Sequence, residues 1–159
     1  MSNFEGADFF AIATRFVEAI PHVSELGIGV VSAAPGSAVI KLPYQNKLIG
    51  NPDTGVLHGG VITTLIDTVC GFAAFSDVGD GLPLATLDLR IDYLKPATPG
   101  IDLLAEGHTY KKTKSIMFVR ATAYHDDPND PIANCVCAFM RGTKGVQFVG
   151  SVRKKDAES

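Results

Sequence analysis

The sequence predicts an α+β domain in which a curved antiparallel sheet wraps around one long central helix. The stretch from about Gly59 to Phe75 is apolar on nearly every side, so it must be buried on most of them. Everything after it alternates in the manner of strands, and a hairpin signal stands before it. With 159 residues the chain has room for one domain with a proper core, and too little for two comfortable ones.

Taken in order, Phe9, Ile12, Ala13, Phe16 and Val17 recur at helical spacing, which predicts an amphipathic helix over Phe4–Ala19 ended by Pro21. "LGIGVVSAAPGSAVIKLPY" reads as a hairpin: an apolar strand, a turn at Pro35-Gly36, and a second strand from Ser37 to Tyr44. The Gly/Asn/Pro-rich loop "QNKLIGNPDTG" shows no clear period and leads into the central helix. In "ATLDLRIDYLKP", strict alternation places Leu87, Leu89 and Ile91 on one face and Asp88, Arg90 and Asp92 on the other. Three more strands are expected near 101–112, 115–125 and 131–144, joined by turns at Lys112-Thr113-Lys114 and Asp127–Asp130. This divides the chain into an N-terminal helix (1–22), the main domain (23–148) and a charged, frayed tail (149–159).

The net charge of −3 argues against nucleic acid, whose binders carry a basic face. No run reaches the roughly 18 apolar residues that cross a bilayer, and the N-terminus lacks a basic start and uninterrupted apolar stretch. Cys70, Cys135 and Cys137 are an odd number without framework spacing, which points to reduced thiols and a cytoplasmic protein. On a strand, Cys135 and Cys137 share one face as core packing. Two cysteines without a second pair or a nearby histidine make a poor zinc site, so neither metal nor cofactor is expected.

Chemistry concentrates in "GVLHGGVITTLIDTV". The first N–H groups of a helix have no partner inside it and lie at the positive end of its dipole. Glycines at Gly59 and Gly60 let another molecule approach that backbone closely, which suits a developing oxyanion on a carbonyl under attack. A tight turn at a helix start explains the same residues. Asp67, among Leu65, Ile66, Val69 and Cys70, is costly to bury unless it is paired. It serves either as an acceptor for the Thr63 or Thr64 hydroxyl or a backbone donor, or as a desolvated base or nucleophile. Gly60 and Asp67 are seven residues apart, on nearly the same helix face but about 10 Å apart along the axis. If both act on one substrate, they come from two chains related by a two-fold axis.

"GVLHGGVITTLIDTVCG" followed by "ATLDLRIDYLKPATPG" resembles the hotdog-fold acyl-CoA thioesterases of the phenylacetate-degradation (PaaI-like) type. The resemblance runs from about Leu26 to Gly142 and includes the order of elements. It implies a helix wrapped by a sheet, paired into homodimers that often join as homotetramers, with the active site at the dimer interface and an acyl-CoA substrate. It further implies that Gly59 supplies the N–H that polarises the thioester carbonyl, with His58 positioning it. The Asp67 carboxylate of the partner chain then acts as nucleophile or general base, and the Thr86 hydroxyl helps hold the attacking water. Gly60, Val61 and Thr64 are expected to contact substrate. Relatives carry an Asn or Gln six residues before the histidine; that slot is Pro52 here, and Asn51 matches after a one-residue shift.

Other polar residues have simpler explanations. Asp88, Arg90 and Asp92 read as cross-strand pairs. Lys111, Lys112, Lys114 and Arg120 fit either coenzyme A phosphates or a solvated turn, and His22, His108 and His125 have no ligand spacing. Two other functions are compatible with the fold: a non-catalytic acyl-CoA binding module, and a hotdog dehydratase acting on enoyl thioesters.

Overall fold

Asp8 sets where the first helix begins. Its carboxylate accepts the Ala11 N–H at 3.2 Å, so α1 runs Phe9–Glu18 instead of starting near Phe4. Phe4, like the tail 149–159, lies outside residues 6–142, the part of the chain that the computed structural model describes. Pro21 does more than stop α1. It occupies the first position of a second short helix, α2 (Pro21–Glu25), where its missing N–H costs nothing.

The hairpin forms as β1 (Gly29–Ala34) and β2 (Ser37–Leu42), with Ala38, Ile40 and Leu42 turned inward. The aperiodic loop contains a 3₁₀ turn at Asn46–Leu48 and a small antiparallel ribbon of β3 (Ile49–Asn51) and β4 (Val56–Leu57). Strands this short carry no readable alternation.

Helix α3 spans Gly59–Val78, three residues beyond the sequence expectation, and ends at Gly79 in the left-handed conformation. Leu65, Ile66, Val69, Cys70, Ala73 and Ala74 are fully buried along it. By length and composition α3 is apolar enough to cross a bilayer, although a residue-by-residue count of the sequence finds no such run. Its apolarity has another use: the sheet covers it on several sides.

That sheet is formed by β1 and β2 with β5 (Leu84–Tyr93), β6 (Leu103–Lys112), β7 (Ile116–Tyr124) and β8 (Ala133–Arg141). The order is β1-β2-β6-β7-β8-β5, antiparallel throughout, and it leaves β1 and β5 as edges. The hotdog architecture expected from the sequence is therefore present. Helix α1 packs on β1 and α3, and its Phe16 ring meets Phe72 edge-on at 5.6 Å and Phe75 at 5.8 Å.

One departure from strict alternation matters for function. The β5–β8 register steps from Thr86 opposite Phe139 to Asp88 opposite Ala138, which leaves Leu87 as an extra residue in a β-bulge. Leu87 therefore stands outward, half exposed, instead of sharing a face with Leu89 and Ile91. The same bulge turns Thr86 toward the helix, alongside Leu84 and Leu89. On the outer face, Arg90 pairs with Asp92 at 3.2 Å along its own strand, while the cross-strand neighbours of Asp88, Arg90 and Asp92 are Ala138, Val136 and Asn134. The cross-strand ion pairs suggested by the sequence are replaced by this one.

Candidate active site

At the head of α3, His58 is the N-cap. Its Nδ1 accepts the Gly60 N–H at 2.9 Å, so the ring must leave that nitrogen unprotonated. Position 60 has to be glycine for this arrangement, because a Cβ there would lie 2.9 Å from the same nitrogen. With the Gly60 N–H held by His58 and the Val61 N–H bonded to the His58 carbonyl at 3.0 Å, the Gly59 N–H has no acceptor among the described residues. A neutral cap thus points one unused donor outward at the positive end of a twenty-residue helix.

The Gly59 carbonyl is held as firmly. The Tyr93 hydroxyl reaches it at 2.9 Å and the Thr63 hydroxyl at 3.2 Å, and these two hydroxyls lie 2.7 Å apart. Tyr93, from the end of β5, also sets its ring 3.7 Å from where a Gly59 Cβ would be. Sequence reasoning missed Tyr93; its signal was an aromatic residue beside the charged strand face, which reads equally well as surface. Gly59, Tyr93 and Ile62 line a cleft of about 300 Å³.

Asp67 lies two turns down α3, half buried at the edge of a second cavity of about 340 Å³. The Thr86 hydroxyl donates to Asp67 Oδ1 at 3.0 Å. Burial raises the Asp67 pKa above its ordinary value, and the Thr86 hydrogen bond pulls part of the way back. The Thr63 and Thr64 hydroxyls do not serve it. They back-bond to the Gly59 and Gly60 carbonyls, at 3.2 and 3.1 Å. Asp67 is therefore a partly desolvated carboxylate with one hydroxyl donor, open to a cavity.

His58, Gly60, Val61 and Thr64 come together along a third cleft of about 360 Å³. His22, from α2, closes one side of it, 3.2 Å from the Thr64 hydroxyl. The Thr64 hydroxyl thus stands within hydrogen-bond reach of both His22 Nε2 and the Gly60 carbonyl. No local pattern brings His22 here; only the fold of α2 sets it against α3.

Asn51 is not brought to the carboxylate. Its side-chain oxygen accepts the Asp53 N–H at 3.0 Å and its carbonyl accepts the Gly55 N–H at 2.9 Å, so it shapes its own turn. Gly59 and Asp67 do not meet within one chain either: the cavity at Asp67 and the cleft at Gly59 share no lining residue. Among the basic residues, Lys112 pairs with Asp77 at 3.2 Å and the Arg120 guanidinium lies 4.4 Å over the Tyr110 ring.

Behind Asp67, Cys70 of α3 meets Cys135 and Cys137 of β8, with their sulfurs within 4.8 Å of one another. The sequence paired only the last two. Hydrogen bonding with Cys135 and Cys137, and then burial, hold the Cys70 thiol well above its ordinary pKa, so it packs as a neutral core group.

Residues 54–132 match the family described as the thioesterase superfamily. A Halobacterium salinarum protein that carries only a provisional esterase name is 36% identical over 109 residues, 67% of this chain and 71% of that protein. Human acyl-coenzyme A thioesterase 13 is 32% identical over 91 residues, 57% of this chain and 63% of that one. Among solved structures, a Pseudomonas aeruginosa protein superimposes with a TM-score of 0.77 at 44% identity, covering 84% of this chain and 99% of that one. A thioesterase family protein from Silicibacter pomeroyi gives 0.72 at 26% identity, covering 83% and 97%.

Proposed function

Since the chain belongs to the thioesterase superfamily, we propose that it hydrolyses acyl-CoA thioesters in the PaaI-like manner, in the cytoplasm, as a homodimer or a pair of such dimers. The observation that carries this reading is the half-buried Asp67 carboxylate with the Thr86 hydroxyl 3.0 Å away at the mouth of a largely apolar cavity. Here the neighbouring threonines bond elsewhere and leave Asp67 facing open space.

In the proposed reaction the thioester carbonyl oxygen takes up the unused Gly59 N–H, and Asp67 with Thr86 holds a water against the carbonyl carbon. Asp67 accepts a proton as the water oxygen bonds to that carbon, and the oxyanion that forms is stabilised by the N–H at the positive helix end. Collapse of the adduct breaks the C–S bond, and the thiolate leaves with the proton held by Asp67. Attack by Asp67 itself, with water hydrolysing the resulting anhydride, uses the same groups. His58 keeps the Gly59 donor free by engaging Gly60 instead.

Gly59 and Asp67 are eight residues apart, about 12 Å along α3, so the two halves of a site come from two copies. The free edge of β5 supplies the contact. Two β5 strands paired about a two-fold axis at mid-strand set the Thr86 end of one copy beside the Tyr93 end of the other. Tyr93 touches Gly59, and Thr86 touches Asp67, so this pairing brings donor and carboxylate to one substrate.

Release of free thiol from acyl-CoA by the purified protein tests the reading. Asp67→Ala should lower turnover by about 10²–10⁴-fold while acyl-CoA still binds. Binding without turnover by the unaltered chain points instead to a binding module, and unchanged turnover in the variant removes Asp67 from the mechanism.

A further inference from the structure

The cavity at Asp67 changes character along its length. Its mouth is polar, with Asp67, Thr86 and the back-bonded threonines. One turn farther along α3 it is bounded by Gly71 and Phe139, and one turn beyond that by Phe75. At this end one wall comes from outside the sheet, from Phe16 of α1, which packs against Phe72 and Phe75 and lies 3.8 Å from where a Gly71 Cβ would be. Among the described residues, Asp67 and His22 are the only ionisable side chains that line the cavity, so the inner end is unsuited to phosphates and suited to hydrocarbon.

We propose that the Phe16 region of α1 is the end wall of an acyl chamber that begins at Asp67 and measures straight apolar acyl chains of about six to eight carbons. This rests on the thioesterase reading and says which element fixes the substrate. Asp67, Gly71 and Phe75 form one helix stripe with about 6 Å between successive members, so Phe75 lies about 12 Å from the carboxylate level. An extended alkyl chain advances roughly 1.3 Å per carbon, from a C–C bond of about 1.5 Å at tetrahedral angles. With its carbonyl standing off Asp67, a chain of about eight carbons reaches Phe75, which the Phe16 ring backs at 5.8 Å. The cavity volume of about 340 Å³ is also at the small end of ligand pockets.

Gly71 offers a substitution that narrows the chamber without forcing the fold. A Cβ there would lie 3.7 Å from Phe139 and 3.8 Å from Phe16, both ordinary contacts, and alanine is the better helix former. Phe16→Ala does the opposite by removing the end wall, and Gly71→Ala carries the test if loss of the Phe16 packing prevents folding. Both are measured on butanoyl-, hexanoyl-, octanoyl- and dodecanoyl-CoA, by thiol release and by calorimetric binding. Gly71→Ala should lower the octanoyl-to-butanoyl ratio of kcat/KM by roughly fourfold per methylene displaced, and Phe16→Ala should raise the dodecanoyl-to-octanoyl ratio by a similar factor. Turnover with chain-length profiles that superimpose on the parent's overturns the chamber and leaves the hydrolase. Chain-length shifts in binding without any thiol release overturn the hydrolase and leave the chamber. Absence of binding to every acyl-CoA overturns both.

Discussion

Asp67 is where function and stability pull apart. Burial holds its carboxyl above the ordinary pKa, so the folded protein binds this proton more tightly than the unfolded chain does. The ionised carboxylate therefore destabilises the fold at neutral pH. That penalty is complete above the raised folded pKa and vanishes below the unfolded value of about 3.9. Asp67→Asn should accordingly melt at a higher temperature than the parent near neutrality, with the gap closing as pH falls toward that value; calorimetry at several pH values checks it. A gap that widens on acidification would contradict the desolvation argument. The proposed mechanism needs the charged form, so kcat/KM should fall as pH drops through the folded pKa. Thr86 donates to that charged form at 3.0 Å, so Thr86→Val should move the acid limb to higher pH. A limb that stays in place or moves downward would mean that the contact does not govern Asp67.

Elements differ in how plainly the sequence announces them. Helix α3 is legible because it is apolar almost all round, and His58, Gly59 and Asp67 are legible because they interrupt that pattern. The Thr86 position needs the bulge at Leu87, one residue that a period of two cannot show, and only the family resemblance anticipated it. Tyr93 and His22 act across the fold, on groups 34 and 42 residues away, so no local pattern marks them. Apolar spacing alone misplaces the beginning of α1, because that spacing continues past a boundary fixed by one side chain, Asp8. Removing that cap with Asp8→Ala should cost about 1 kcal/mol locally. Since α1 lies outside the sheet, the loss should appear as faster amide exchange over Phe9–Glu18, with the strands little affected. Equal acceleration in β6 and β7 would mean that α1 and the sheet unfold as one unit.

At the scale of the molecule, the cleft at the unused Gly59 donor and the cavity at Asp67 share no lining residue, and the proposed mechanism makes them two half-sites completed by two copies. Gly59→Pro isolates the donor. Proline lacks only the N–H at issue, is favoured at the first position of a helix, and is compatible with the extended His58 before it (φ −64°, ψ 134°). The variant should keep its fold and lose about 10²–10³-fold in kcat, as when one oxyanion donor is removed. Refolding it with an equal amount of Asp67→Asn then separates the two geometries. If each site takes Gly59 from one copy and Asp67 from the other, half of the randomly paired dimers are mixed, and each mixed dimer has one intact site. Activity should then return to about a quarter of the parent's from two nearly inactive stocks. If both groups served one substrate within a single chain, every site in the mixture would carry one defect and no activity would return. Thiol release before and after co-refolding, with sedimentation to confirm that mixed dimers form, therefore decides whether the site is shared between two copies.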